Sequence, residues 1–226
     1  MGIYGKNRTE WTLTDLASAT LGGTTIAFYD TLGPAAIEFV IRQTLLTTIT
    51  CTSQQLAQLI ILKNQGKADS VKFLICMDDY DYSVQKDGED AGIKIMHINE
   101  VIEHGKKNKA IALEEFYPKA SDVYMFCYTS GTTGDPKAAM LTHANLIASS
   151  VGVGNVQGCN WDDTDSIISY LPAAHSFEKC LFATCLISGC KIGFYSGDPT
   201  KLLDDLKVLK PTLFPSVPRL FNRIYD

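Results

Sequence analysis

Polar and apolar positions follow two periods along this chain. Apolar runs rich in β-branched and aromatic residues fall at residues 2–4, 24–29, 47–52, 71–77, 93–98 and 122–129, and each predicts a strand. Between them apolar residues recur at helical spacing. Leu13, Leu16 and Ala17 form one such face, behind a Thr12 and Asp15 pair that resembles a capping box, and Gly22 and Gly23 end it. Ile37, Val40, Ile41 and Leu45 line a second helix opened by Pro34. Leu56, Leu59 and Ile60 line a third, capped by Ser53 and stopped by Gly66. Residues 78–90 carry six carboxylates at no EF-hand spacing and read as a solvated loop. Residues 100–107 read as a short exposed helix, and 114–120 as a linker. Strands and helices in alternation, with short links, predict an α/β fold: a doubly wound, largely parallel sheet flanked by helices.

Beyond residue 129 the pattern continues less regularly. Thr142 reads as the cap of a helix running through Ala148 and stopping near residues 152–154. Residues 167–171 predict a strand ended by Pro172, with a helix starting near Ala174 that places His175 and Glu178 on one face. Residues 182–195 form an apolar stretch broken at Gly189. Pro199 opens a helix with Leu202, Leu203, Leu206 and Leu209, residues 212–215 read as a strand, and Pro218 opens a last helix. The expected organisation is a first α/β portion over 1–120 and a second portion over 121–226.

Composition narrows the function. With 226 residues, 46% hydrophobic and 20% charged, the chain has ordinary globular content. The net charge is −5, and the only dense basic run is Lys106, Lys107 and Lys109, which argues against nucleic acid as the main partner. None of the seven cysteines forms a C-x-x-C pair, so zinc-ribbon and thioredoxin-like chemistry is not indicated. Their odd number, without a leader, points to a reducing, intracellular compartment. Residues 43–62 lack charge but are broken by threonine and glutamine, so no run reads as a membrane span. Met1 and Gly2 are followed by Lys6 where a myristoylation motif needs Ser or Thr.

The densest chemistry lies at residues 128–143, YTSGTTGDPKAAMLTH. Five hydroxyl residues and two glycines fall between Tyr128 and Gly134, and Lys137 follows. Glycine lets a backbone approach a ligand closely. Successive N–H groups in a tight loop form an anion-binding concavity, and a lysine adds a mobile point charge. The spacing is not that of a Walker A loop, because only two threonines separate Gly131 from Gly134 and Asp135 and Pro136 precede the lysine. From the residues alone, a phosphate cradle and a plain Ser/Thr/Gly-rich surface turn both remain open.

The stretch TSGTTGDPK, followed by Thr142 and His143, resembles the phosphate loop of the adenylate-forming superfamily, which includes acyl-CoA synthetases, luciferases and peptide-synthetase adenylation domains. It departs from the family at Ala138, where glycine is usual. YLPAAHSFEK, residues 170–179, is similar to a YLPxAHxFE stretch of the long-chain acyl-CoA synthetases. GIYGKNRTEW, YDTLGPAAIEFV and the segment from residue 196 also look like that branch.

The resemblance implies a long-chain fatty acid–CoA ligase that joins a fatty acid to the α-phosphate of ATP and passes the acyl-adenylate to coenzyme A. In that scheme Ser130, Gly131, Thr132, Thr133, Gly134 and the loop amides cradle the β- and γ-phosphates. Lys137 offsets charge on the leaving pyrophosphate, Thr129 offers a hydroxyl to Mg²⁺, and His175 lies beside the reacting carboxylate. Glu178 is expected to be structural or a helix cap. An aryl or short-chain ligase, and a nucleotide-binding module without catalysis, stay open as alternatives. The downstream Gly-Tyr-Gly-x-Thr-Glu motif, the ribose-binding segment and the C-terminal domain with its lysine are not found in the sequence. The chain is therefore expected to be part of a larger N-terminal domain, unable alone to complete a cycle. Location is expected to be cytoplasmic, and peripheral association with the endoplasmic reticulum or another membrane is left open.

Overall fold

Seven strands make one sheet: β1 (Gly2–Tyr4), β2 (Thr25–Phe28), β3 (Thr48–Cys51), β4 (Phe73–Cys76), β5 (Lys94–His97), β6 (Val123–Thr129) and β7 (Lys137–Thr142). Their order is β5-β4-β3-β1-β2-β6-β7, parallel throughout except for β7, which runs antiparallel to β6. Helices α1 (Thr9–Thr20), α2 (Pro34–Thr44), α3 (Ser53–Asn64), α4 (Tyr82–Asp90) and α5 (Ile98–Lys107) accompany it. The computed structural model describes residues 1–108, 113–129, 136–156 and 160–225. It divides into two units, Met1–His143 and Ala144–Asp226. The expected α/β class, with mostly parallel strands flanked by helices, is what the structure has.

The chain steps from β1 to β2 in one direction, then crosses back past β1 to β3, β4 and β5. Right-handed crossovers therefore put α1 on one face of the sheet and α2, α3 and α4 on the other. The core agrees. Ile37, Val40 and Ile41 of α2 and Leu56, Leu59 and Ile60 of α3 pack on Tyr4, Ile26, Phe28, Ile49, Leu74 and Tyr128, which alternate along their strands toward that face.

The structure corrects several expected details. Helix α1 starts at Thr9, three residues before the proposed capping box, and its N-cap Arg8 makes no side-chain capping bond. Its buried face is Trp11, Asp15 and Ser18, while Leu13 and Leu16 are exposed. The cause lies in the sheet. A register shift between Val123 and Met125 bulges β6, and the Tyr124 hydroxyl donates to the buried carboxylate of Asp15. Bulges re-aim a side chain in this way.

Leu45 leaves the α2 face. It caps the helix in the left-handed region at φ 49° and is 72% exposed. Helix α3 is capped by Thr52, with Ser53 as its first residue. The acidic segment is not all loop, since 82–90 is helical. There α4 lies so close to β5 that a Cβ on Gly88 would stand 2.3 Å from Ile95 Cδ1.

The largest correction is β7, where no strand is expected from the sequence. Its Ala138 and Ala139 have low β propensity. Pairing with β6 from Thr129 to Val123 makes it a strand.

The second unit holds most of α6 (His143–Gly154), then β8 (Ser166–Ser169), α7 (Ser176–Ser188), β9 (Lys191–Phe194), α8 (Leu202–Leu209) and α9 (Pro218–Tyr225). β8 and β9 pair in parallel. Small residues bring α6 against α7: Thr184 Oγ1 donates to the Ser150 carbonyl at 3.1 Å, and a Cβ on Gly154 would meet Thr184 Cγ2 at 3.5 Å. Gly189 ends α7 at φ 76°, where an L side chain is strained. Residues 199–201 form a 3₁₀ turn, so the helix expected at Pro199 begins at Leu202. The strand expected at 212–215 reduces to one bridge, Leu213 to Ile167. Pro211 and Pro215 flank it without N–H groups for a ladder.

Candidate functional site

β6 brings Tyr128 and Thr129 to the carboxyl end of the sheet, where ligands of open α/β folds bind. Its last buried residue, Tyr128, is anchored from below: the phenol donates to Gln43 Oε1 of α2 at 2.6 Å, and burial raises its pKa. Thr129 and Lys137 are the terminal pair of the β6–β7 ladder, and Thr129 Oγ1 donates to the Lys137 carbonyl at 3.3 Å. Both side chains are exposed. The first and last of the expected phosphate-binding residues thus meet at the root of the segment that joins the two strands. Ser130, Gly131, Thr132, Thr133 and Gly134 lie outside the described residues. Ala138 faces Tyr128 across the ladder and is half-buried against the core.

At the far end of β7 the chain is held twice more. The His143 N–H donates to the Asp122 carbonyl at 3.1 Å, and the imidazole lies edge-on to Tyr124 with ring centroids 5.4 Å apart. Gln43, Tyr124 and Asp15 support the hairpin, and sequence reasoning assigned none of them to it. A polar residue on a helix face, such as Asp15, gives no sign of its partner when that partner is 109 residues away.

In the second unit His175 is the N-cap of α7 and not a residue within it. Its Nδ1 accepts the Phe177 N–H at 3.1 Å, and its ring is exposed. Glu178 occupies the third helical position. Its carboxylate is buried at 3% exposure and accepts a hydrogen bond from Ser169 Oγ at the end of β8. Burial pushes the Glu178 carboxyl up to about 7; Ser169 and the Lys179 charge act in the opposite sense. Burial also raises the pKa of neighbouring Tyr170, whose hydroxyl donates to Ser216 Oγ at 2.7 Å. Tyr170 stacks on Phe214 with centroids 5.5 Å apart.

Among the described residues no group of three or more His, Cys, Asp or Glu side chains is placed to hold a metal ion. Thr129 is a single neutral oxygen. Because it donates its proton to Lys137, its lone pairs remain available to a cation. That suits a Mg²⁺ that takes most of its ligands from phosphates and water. Among the same residues no helix is long and apolar enough to cross a membrane.

The family described as AMP-binding enzyme matches residues 1–226, and the chain belongs to it. Within that family the chain is 39% identical to long-chain-fatty-acid–CoA ligase 5 of Mus musculus, aligned over all of this chain and 33% of the relative. The chain therefore spans about a third of the length of the curated relatives it matches. Among solved structures, the adenylation domain of a carboxylate reductase from Mycobacterium chelonae superposes with a TM-score of 0.85 at 19% identity, covering 99% of this chain and 36% of that one. The A domain of a carboxylic acid reductase from Segniliparus rugosus, solved with AMP and a co-purified carboxylic acid, gives 0.82 at 20% identity, covering 99% and 37%. At these identities the two structures speak for the fold alone.

Proposed function

We propose that the protein carrying this chain is a long-chain fatty acid–CoA ligase. It activates a fatty acid with ATP to the acyl-adenylate and transfers the acyl group to coenzyme A. The observation that carries this reading is the β6–β7 frame. It pairs Thr129 with Lys137, the two residues that flank positions 130–136, at the carboxyl end of β6. The identity to a named fatty-acid ligase supports the acyl substrate.

Adenylation needs alignment of a carboxylate with phosphorus and neutralisation of the phosphates, and no covalent intermediate on the protein. Lys137 supplies a positive charge for the departing pyrophosphate. Ser130, Thr132, Thr133 and the amides of Gly131 and Gly134 supply donors for the β- and γ-phosphates. His175, accepting at Nδ1, carries its proton on Nε2 and offers it as a donor to the fatty acid carboxylate. Thr129 would offer one oxygen to Mg²⁺, which would screen the phosphate charge.

The test is ATP–pyrophosphate exchange by the intact protein with a panel of acids. Exchange driven by long-chain fatty acids is the expected result. Exchange driven only by aryl or short-chain acids would move the assignment to another ligase of the family, and ATP binding without any exchange would refute catalysis.

A further inference from the structure

When glutamate stands third in a helix, it commonly reaches back to the backbone N–H of the cap residue. In α7 that N–H is already used, because His175 donates it to the Pro172 carbonyl at 2.8 Å. Glu178 turns inward instead, to Ser169 Oγ on β8, and both residues are buried. The same first turn holds the exposed imidazole of His175, whose Nδ1 is tied to the Phe177 N–H. That bond settles which nitrogen carries the proton of the neutral ring and which way it faces. The ring is therefore only as well placed as the first turn of α7. Ser169 and Glu178 form a buried side-chain link from that turn to the sheet.

We propose that Glu178 is the positioning residue of His175. Its bond to Ser169 pins the first turn of α7 to β8, so that Nδ1 stays an acceptor and Nε2–H is presented to the reacting carboxylate. This rests on the reading of His175 as the donor to the fatty acid. Glu178 touches no substrate and acts through the cap. A buried carboxyl is a costly choice for a merely structural peg, because its charge is disfavoured away from water. A hydroxyl-to-carboxylate bond nevertheless fixes a direction that an apolar contact would not.

The experiment uses the intact protein labelled with ¹⁵N-histidine, with the His175 signal assigned by its loss in His175→Gln. Wild type and Glu178→Gln, whose amide oxygen still accepts from Ser169, are expected to show one His175 tautomer, protonated at Nε2. Glu178→Ala is expected to show a mixture below its unfolding temperature. In exchange assays Glu178→Ala lowers kcat about 10–100-fold, the cost of a misplaced group. KM for ATP stays within about twofold, and Glu178→Gln restores most of kcat. Should Glu178→Ala fail to fold, Ser169→Ala removes the same bond and carries the same expectation. A single tautomer in the alanine variant, an undiminished kcat, or a Glu178→Gln variant as damaged as Glu178→Ala overturns the proposal. Wild-type protein without fatty-acid-dependent exchange would refute the ligase reading, while the tautomer comparison would still decide what Glu178 does.

Discussion

Burial raises the Glu178 carboxyl from an ordinary 4.5 to about 7, so the folded protein holds that proton more tightly than the unfolded chain does. A carboxyl shifted upward contributes its stability in full below the unfolded value and loses it as the pH climbs through the folded one. The window is therefore about 4.5 to 7, and the shift corresponds to something on the order of 3 kcal/mol. Lys179 favours the ionised form and moderates the loss, while Tyr170 and Cys185 have their own pKa values raised in part by the Glu178 charge. Glu178→Gln is accordingly expected to leave the thermal midpoint of the intact protein unchanged near pH 4.5 and to raise it at pH 8. A midpoint difference independent of pH would show that the carboxyl does not titrate in this window. In the first unit, Asp15 accepts from Tyr124 where both are buried. Asp15→Ala removes the acceptor of a buried phenol and is expected to cost about 1–3 kcal/mol in urea unfolding, against near-neutrality for an exposed helical position.

Among the elements, α4 and β5 give the sharpest prediction. Replacing a helical glycine by alanine normally stabilises by about 1 kcal/mol. Gly88→Ala is expected to do the reverse, because its methyl would lie 2.3 Å from Ile95 Cδ1. Overpacking of this kind costs about 1–3 kcal/mol. Ile95→Val deletes that Cδ1 but keeps Cγ1, which would lie 2.7 Å from the new methyl, so it should recover only part of the loss, and the double-mutant cycle measures the coupling.

The same pair shows what could be read from residue order. β5 was legible, since Ile93, Ile95 and Ile98 declare a strand, but α4 was not. Its residues are polar and acidic, and Gly88 reads as a breaker until the neighbouring strand is known to need the space. β7 escaped for a related reason, because an alanine-rich edge strand owes its form to its partner. The parallel core was legible throughout, since each of its strands carries its own apolar run. Thr129, Lys137 and His175 stand out as candidates only through long motifs, and the residues that hold them do not stand out in the sequence at all. Gln43 and Ser169 are ordinary polar residues whose roles arise from contacts 85 and 9 positions away.

For the whole molecule, membership of the AMP-binding enzyme family and a sheet shared with adenylation domains define what the chain is. The activity proposed here belongs to the protein that carries it, of which relatives are about three times as long. In the proposed reaction Lys137 and the hydroxyls beside it grip the tail of ATP while the fatty acid carboxylate attacks the α-phosphate. The most direct measurement is the amount of acyl-adenylate formed by the intact protein from ATP and a long-chain fatty acid without coenzyme A, detected by mass spectrometry. Wild type is expected to accumulate the mixed anhydride. Lys137→Ala and the Thr132→Ala, Thr133→Ala pair are each expected to reduce its rate of formation about 100-fold or more, as when a charge-stabilising donor is removed. Undiminished acyl-adenylate in both variants would contradict the account.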